Sequence, residues 1–267
     1  MRTPPVNRTC THRITASDAD LFHECPRAFW ERRADRGRSR QQEDSFPLRR
    51  GKAGHAFLER IMLETVKTGR TPEPEAAIAR FWNGSYFAND EEALKAYLGL
   101  STELQNVYAF LQAEELTVLA AEQQLESRGR MVAPGVNLVL SGKVDLLAER
   151  LDGRLVVLDY KWSTCLPVAE DLAAKPSSMM YHYLVSERYP ERSQVEIVQL
   201  LPTNGMWVSV VLSEDEIEAS KTVIRRVVSA LHAGAEALFE PRQGEPCRAC
   251  AWSTCPRRQD EAADEGF

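Results

Sequence analysis

Apolar side chains recur at helical spacing through the first half of the chain, and near residue 117 the spacing changes to that of strands. Phe22 follows Ala19 by three residues, and Phe29 follows Phe22 by seven, so the three side chains share one face of a helix after the segment Thr15-Ala16-Ser17-Asp18. That segment has the form of a capping box, in which two side chains satisfy the free backbone donors of a helix start. The pattern therefore predicts a first helix, and it places Cys25 on that helix.

A second helical pattern runs from about Gly51 through Val66, with His55, Leu58 and Met62 on one face. Glycines near its start permit another part of the chain to approach the backbone closely. Residues 67–74 interrupt the pattern, and residues 74–115 read as further helices, with Asn89 as an N-cap. We interpret residues 56–115 as an inserted helical lobe.

The region beyond Thr117 is dominated by a predicted β-hairpin. Val136–Glu149 is a long apolar-rich run, Leu151-Asp152-Gly153-Arg154 supplies a turn, and Leu155–Lys161 forms the returning strand. The two arms of such a hairpin bring Asp145 and Asp159 near one another.

Helices and strands alternate after the hairpin. The pattern predicts a helix over 168–188, strands over 194–201 and 206–212, and a last helix opened by the capping box Ser213-x-x-Glu216. A chain of 267 residues with 43% hydrophobic content can bury a full core. We therefore predict an α/β fold in which helices flank a central mixed sheet, with residues 1–267 as a single domain.

Composition restricts the classes of protein to consider. No run of eighteen apolar residues occurs, and the first thirty residues lack the apolar stretch of a signal peptide, so we expect a cytoplasmic protein without a membrane span. The net charge of −6 ordinarily disfavours a polyanionic partner, but residues 27–52 carry nine Arg or Lys against four acids. This local charge makes a groove that follows a phosphate backbone more plausible than a merely solvated face.

The hairpin carries the first candidate chemistry. Asp159 and Lys161 lie two residues apart on a predicted strand and share one face, and Asp145 on the partner arm reaches the same point. Two carboxylates, helped by a backbone carbonyl such as that of Tyr160, suit Mg²⁺ or Mn²⁺. Such an ion lowers the pKa of a bound water and neutralises charge on a phosphodiester, while Lys161 orients or helps to deprotonate the water.

Two further residues extend this candidate site. His55 on the neighbouring helix can complete the metal ligands or favour manganese over magnesium. Glu122 precedes the hairpin on its own strand, where it either binds the metal, directly or through water, or orients another ligand. An isolated helix histidine or an exposed strand glutamate usually has no such role, so only the whole set of residues indicates a metal site.

Four cysteines indicate a second site. Cys247-x-x-Cys250 followed by Cys255 has metal-ligand spacing, and Cys25 is the natural fourth ligand. Zinc and an iron-sulfur cluster both accept four thiolates, so spacing alone does not separate them. We predict a lobe built from residues 10–35 together with 236–260, and we regard Cys10 and Cys165 as spare thiols of a reducing compartment.

The order of these motifs resembles that of the PD-(D/E)xK nuclease superfamily in its RecB-like branch. The motifs are Gly51-x-x-Gly54-His55, Glu122, Gly142-Lys143-Val144-Asp145 and Asp159-Tyr160-Lys161. The cysteine frame is similar to that of AddB-type nuclease domains and stand-alone CRISPR-associated exonucleases. The resemblance implies a restriction-endonuclease-like core and a 4Fe-4S cluster on the four cysteines. It further implies a metal-dependent deoxyribonuclease, with an exonuclease on single-stranded DNA or DNA ends favoured, and a helicase or CRISPR integrase as a possible partner.

Two departures from the family pattern keep alternatives open. The family usually has Gln-x-x-x-Tyr on the helix after the lysine strand, but Ser177 precedes Tyr181 at that spacing and Met179 precedes Tyr183. The gap between the last two cysteines is also one residue shorter than usual. One alternative is a catalytically weak or inactive DNA-binding module that positions DNA ends for a partner. Another is a sequence-specific restriction endonuclease, which ranks last because no separate recognition domain is evident.

Overall fold

The structure is a computed structural model that describes residues 10–34, 45–163, 165–192 and 194–242 together with Cys247, Cys250 and Cys255. The strands of this described part are β1 (Cys10–Thr15), β2 (Thr117–Glu126), β3 (Arg130–Ala133), β4 (Val136–Glu149), β5 (Leu155–Tyr160), β6 (Val195–Leu200) and β7 (Trp207–Val211). Its helices are α1 (Ala16–Glu24), α2 (Pro26–Ala34), α3 (Phe46–Thr68), α4 (Pro74–Phe81), α5 (Asp90–Ala113), α6 (Ala169–Ala174), α7 (Pro176–Arg188) and α8 (Glu214–Ala233). Short 3₁₀ turns cover Gly84–Tyr86 and Glu236–Leu238.

All seven strands form one mixed sheet with the order β1-β4-β5-β6-β7, and β2 and β3 also pair with β4. β1 and β4 are parallel, as are β5 and β6, whereas the other pairs are antiparallel. The long strand β4 therefore contacts four other strands. The predicted hairpin is confirmed as the antiparallel pair of β4 and β5, and β2, which carries Glu122, runs antiparallel to β4.

Helices cover both faces of the sheet and give two hydrophobic cores. On one face, α3, α4 and α5 pack against β4, β5 and β6 around Ile61, Leu104 and Leu146. On the other face, α1, α2, α7 and α8 pack around Phe29, Leu147 and Val227. The predicted α/β fold, a central mixed sheet flanked by helices, is confirmed. The helices predicted as an inserted lobe over 56–115 form one of these layers, and the predicted division of the chain stays a prediction.

Local signals set several helix boundaries as expected. The capping boxes at Thr15 and Ser213 are both present, and the Asn89 side chain caps α5 by accepting from the Glu92 backbone N–H. The prediction that Cys25 rides on the first helix is wrong. Cys25 has an extended conformation between α1 and α2, because a residue that precedes proline, here Pro26, is disfavoured in the helical region.

Proline also explains a second difference between the predicted and the observed helices. The single helix predicted over 168–188 is two helices, α6 and α7, because Pro176 starts the second one at a position where its missing N–H costs nothing. The predicted basic loop over 36–47 lies largely outside the described residues, which resume at Ser45.

The two ends of the described chain meet on the α1–α2 side of the sheet. Phe239 stacks on Phe29 with ring centroids 6.0 Å apart, and it lies 4.6 Å from the Trp30 ring. Arg27 forms a salt bridge with Glu236 at 2.5 Å. Residues near the two ends of the described chain therefore pack together, and the predicted lobe of residues 10–35 with 236–260 stays a prediction, because most of residues 243–260 lie outside the described ones. Among the helices that the structure describes, none has the length and apolar character needed to cross a membrane.

Candidate metal centre

The centre of the site lies where the β4–β5 ladder ends. The last paired residues are Leu146 and Leu158, so the next position places Asp145 beside Asp159. There the backbone N–H of Tyr160 donates to the Asp145 carboxylate at 2.9 Å instead of continuing the strand ladder. The β4–β5 hairpin thus places Asp145 beside Asp159, as the sequence predicts.

Asp145 is a mostly buried carboxylate whose ionised form is disfavoured. Burial raises its pKa well above the ordinary value, and the negative charge of Asp159 raises it further, while the Tyr160 hydrogen bond lowers it. A cation next to Asp145 offsets the free-energy cost of ionising this carboxylate. A carboxylate held in this state is therefore suited to bind a metal ion.

His55 approaches Asp145 from helix α3, with its Nδ1 atom 3.4 Å from the Asp145 carboxylate. Burial lowers the pKa of His55, although the charge of Asp159 acts in the opposite direction. The imidazole is therefore neutral near pH 7, which is the form that binds metal ions.

Glu122 completes a group of three ligands. His55, Glu122 and Asp145 offer atoms that all lie within 4.8 Å of one another, and among the described residues this is the one group of three or more potential metal ligands. The set of one imidazole and two carboxylates fits Mg²⁺ or Mn²⁺. Glu122, which the sequence left undecided between a metal ligand and an orienting residue, thus belongs to this group of potential ligands, whereas Asp159 does not.

The backbone at Glu122 has an unusual conformation. Its φ angle is +49°, and among the described non-glycine residues only Glu115 shares a positive φ. This left-handed conformation within a strand costs on the order of 1–3 kcal/mol and is tolerated at functional sites. It interrupts the pairing of β2 with β4 between Ala121 and Gln123. The side chain of Glu122 forms a salt bridge with Lys143.

Asp159 accepts from two side chains, Lys161 and Gln199. The ammonium of Lys161 lies 2.8 and 2.9 Å from the two carboxylate oxygens of Asp159, which confirms that the two side chains share a face. The amide of Gln199 donates to the same carboxylate at 2.8 Å. The predicted roles of Asp159 and of the Tyr160 carbonyl as metal ligands stay predictions.

Lys161 carries its charge at neutral pH. Burial lowers its pKa, but the ion pair and hydrogen bond with Asp159 raise it more, so that the net shift is upward. A lysine with a raised pKa stabilises negative charge and orients water, and it does not accept a proton near pH 7.

A cleft of about 610 Å³ opens over these residues. Its walls come from the start of α3, from the 3₁₀ turn with Tyr86, and from Trp162 just after β5. The residues that also line it are Leu48, Lys52, His55, Glu122, Lys143 and Lys161. Lysine and aromatic side chains around one carboxylate cluster match the phosphates and bases of a nucleic-acid strand. Lys143 was not predicted as a site residue, but its position two residues before Asp145 places it on the same face.

Trp162 packs tightly on helix α3 beside the site. Its indole N–H donates to Glu103 at 3.2 Å, and Glu103 also forms a buried salt bridge with Arg50. The ring centroid lies 5.0 Å from that of His55. A side chain at Gly54 would overlap the indole ring, so the second glycine of the Gly51-x-x-Gly54-His55 motif permits the contact that seats His55.

We expect Gly54→Ala to lower stability by about 1–3 kcal/mol, because the added methyl forces Trp162 away from α3. Thermal unfolding and tryptophan fluorescence measure the effect. Gly51→Ala is the matched control, since a methyl there meets no atom within 4 Å and helix propensity favours alanine by roughly 0.5–1 kcal/mol. Equal melting temperatures for the two variants would contradict the proposed packing.

The structure does not bring the four predicted cluster cysteines together as a single-ion site. Four thiolates on one zinc ion lie within about 4 Å of one another, and no such group of cysteines occurs among the described residues. Cys25, Cys247, Cys250 and Cys255 are all partly buried free thiols. Two contacts connect their surroundings: Arg242 donates to the His23 carbonyl, and the Cys247 sulfur lies 3.4 Å from the Arg242 carbonyl. The predicted spare thiols, Cys10 and Cys165, are exposed.

Helix α7 lies beside the site without the glutamine of the family pattern. Tyr181 packs against Gly142, where a Cβ atom would come within 3.0 Å of the ring. Burial raises the pKa of Tyr181, and the charge of Asp159 raises it further. The backbone N–H of Ser177 donates to Asp20 at 2.8 Å, so that a carboxylate from α1 binds the start of α7. Asp20 has no distinguishing signal in the sequence.

Part of the predicted basic segment serves the fold. In the described portion of residues 27–52, Arg27 pairs with Glu31 and Glu236, Arg32 with Asp18, Arg49 with Glu92, and Arg50 with Glu103. These guanidinium groups are therefore largely compensated. Among the described basic residues of this segment, Lys52 is the one that lines the cleft.

Comparisons with known proteins give the family. The family model of the PD-(D/E)XK nuclease superfamily matches residues 13–256, and a comparison with curated proteins finds no match. Among solved structures, the chain is similar to the "putative exonuclease" from Eubacterium rectale, with 12% identity, a TM-score of 0.50, and coverage of 93% of this chain and 87% of that one. It is also similar to the crystal structure of SSO0001, with 16% identity, a TM-score of 0.43, and coverage of 96% and 89%.

The first similarity supports the fold alone, whereas the family model spans both hairpin strands, helix α3 and the strand with Glu122. Since this match includes more than half of the chain, the protein belongs to the PD-(D/E)XK nuclease superfamily.

Proposed function

We propose that this protein is a cytoplasmic Mg²⁺- or Mn²⁺-dependent deoxyribonuclease that acts as an exonuclease on single-stranded DNA or DNA ends. The observation that carries the proposal is the convergence of His55, Glu122 and Asp145 within 4.8 Å, next to the Asp159–Lys161 pair. Membership of a nuclease superfamily supports phosphodiester hydrolysis as the reaction.

Each side chain of the site has a proposed task. His55 and Asp145 hold the divalent ion together with Asp159, and Glu122 either joins them or orients them from β2. When bound, the ion activates water and neutralises charge on the phosphate. Lys161, held as an ammonium by Asp159, orients the attacking water and stabilises the negative charge that develops on the phosphate oxygens.

The residues that line the cleft support a single strand as substrate. Its wall presents Tyr86 and Trp162 as well as Lys52 and Lys143. Aromatic faces bind bases of any sequence, and lysines follow the phosphates.

The test uses a DNA strand labelled at its 5′ phosphate, once as a linear single strand, once in a blunt duplex and once closed into a circle by ligation through the labelled phosphate. We expect Mn²⁺-dependent shortening of the linear single strand, no reaction in EDTA, and an intact circle. Asp159→Ala is the matched inactive protein. Cutting of the circle would replace the exonuclease assignment with an endonuclease, and binding of DNA without cleavage would support the alternative, a DNA-binding module.

We further propose that Cys25, Cys247, Cys250 and Cys255 hold a 4Fe-4S cluster, with zinc as the alternative. The contacts of Phe239 with Phe29 and of Arg242 with His23 support it, because they bring the segment before Cys247 next to residues on either side of Cys25. Such a cluster joins the ends of the chain, and its binding free energy contributes to folding. A helicase or CRISPR integrase partner stays a prediction from the sequence.

For the cysteine site, we expect Cys250→Ala to remove the visible absorption band of protein purified without oxygen and to lower its melting temperature. The loss of a ligand from a site that spans the chain should reduce stability before it reduces chemistry. Iron and zinc analysis of the parent separates the two metals. Cys165→Ala, a change at an exposed thiol, is the control. A variant with an unchanged spectrum and melting temperature would remove the cluster from the proposal.

A further inference from the structure

Gln199 is a buried polar side chain in the middle of the sheet. It lies in β6, whose six residues are all buried, and its own exposed fraction is 5%. Its strand neighbours Val198 and Leu200 are fully buried. A buried amide costs free energy unless hydrogen bonds compensate it, so its presence in this strand calls for a partner.

The partner is the carboxylate of Asp159. β5 and β6 run parallel in a register that pairs Asp159 with Gln199, and the amide nitrogen donates to Asp159 at 2.8 Å. Lys161 contacts both oxygens of the same carboxylate, at 2.9 and 2.8 Å. Since one donor comes from the rigid sheet and the other from a long side chain, the amide of Gln199 is the part that sets the orientation of the carboxylate.

We propose that Gln199 is a positioning residue that holds Asp159 for metal binding. The inference rests on the proposed function, in which Asp159 is a metal ligand. The amide holds the Oδ2 atom of Asp159, which leaves Oδ1, a 2.9 Å contact of Lys161 in this structure, as the oxygen offered to the metal. Hydrogen bonds that orient ligating carboxylates commonly contribute about 10- to 100-fold in metal affinity or activity.

The experiment measures Mn²⁺ binding without DNA, from the electron paramagnetic resonance signal of free Mn²⁺. We expect Gln199→Leu to raise the Kd for Mn²⁺ about 10-fold and to leave the metal-free melting temperature close to that of the parent, because leucine fills a similar volume in an apolar strand. Gln199→Met, equally without a donor, should give the same result and serves if the leucine variant folds poorly. Gln123→Leu is the control, since the Gln123 carbonyl oxygen is buried without a hydrogen-bond partner.

A double-mutant cycle separates positioning from a general structural effect. In an Asp159→Ala background, Gln199→Leu should change the Mn²⁺ affinity by less than about twofold, because the side chain that it orients is absent. Full additivity of the two changes, or parental Mn²⁺ affinity in Gln199→Leu and Gln199→Met, would overturn the inference. So would a parent protein that binds no Mn²⁺.

The outcomes also distinguish this inference from the proposed function. Weaker Mn²⁺ binding in the Gln199 variants, together with a parent that binds Mn²⁺ but cleaves no DNA, would support the role of Gln199 and reject the nuclease. Mn²⁺-dependent cleavage by the parent, together with unchanged Mn²⁺ affinity in the Gln199 variants, would support the nuclease and reject the role of Gln199.

Discussion

Asp145→Asn is expected to reduce metal-dependent DNA cleavage by about a thousandfold, while the metal-free protein becomes more stable. The loss follows because metal binding contributes several kcal/mol to transition-state stabilisation, and about 1.4 kcal/mol corresponds to a factor of ten in rate. Asparagine has nearly the same shape as aspartate, and its carbonyl oxygen still accepts the hydrogen bond from the Tyr160 backbone N–H. The variant therefore removes charge and little else.

The gain in stability follows from the raised pKa of Asp145. The folded state keeps this proton at pH values where the unfolded chain has released it, so the contribution of the group to stability falls as pH rises from the ordinary carboxyl pKa through the folded-state value. Asparagine carries no such penalty at pH 7. In a domain of this size, about 1 kcal/mol corresponds to a melting-temperature increase of roughly 2–4 °C.

Thermal unfolding with and without Mn²⁺ checks both parts. Mn²⁺ should raise the melting temperature of the parent, since it binds the folded state, and should leave that of Asp145→Asn unchanged. Asp152→Asn, in the exposed hairpin turn, is the control for the amide substitution. Lower metal-free stability in Asp145→Asn, or a parental response to Mn²⁺, would contradict the assignment of Asp145 as a strained ligand.

Much of this site could be predicted because it depends on local sequence signals. The apolar runs on either side of Asp152-Gly153 define the hairpin, and the hairpin alone brings Asp145 to Asp159. Alternation along a strand then pairs Lys161 with Asp159. In the same way, the capping boxes identify the starts of α1 and α8 without knowledge of the tertiary structure.

The remaining features depend on contacts that the sequence does not specify locally. Glu122 joins His55 and Asp145 because the register of β2 with β4 places it opposite Asp145, and its left-handed backbone conformation there is not expected of a glutamate in a strand. Gln199 reaches Asp159 through the register of two strands separated by α6 and α7. The one sequence signal for Gln199 is an uncharged polar residue between two apolar ones, Val198 and Leu200, a signal that is easily overlooked.

Lys161→Met is expected to reduce the rate of cleavage by about 10²- to 10⁴-fold, the usual contribution of a group that assists proton transfer or charge stabilisation. Mn²⁺ affinity should change far less, because Lys161 is a cation and contributes no ligand. The substitution keeps the length of the side chain and removes its charge. Lys221→Met on α8, where the lysine pairs with Glu218 at the surface, is the control.

The pH dependence distinguishes the two roles of Lys161. Because its pKa is raised above the ordinary lysine value, Lys161 stays protonated from pH 6 to 9, and the ratio of parent to Lys161→Met rates should be constant over that range. A lysine that served as the general base would instead act through its small deprotonated fraction, and the ratio would rise about tenfold with each pH unit. A constant ratio therefore assigns the ammonium to the phosphate and the attacking water, and a rising ratio would make Lys161 the base despite its ion pair with Asp159.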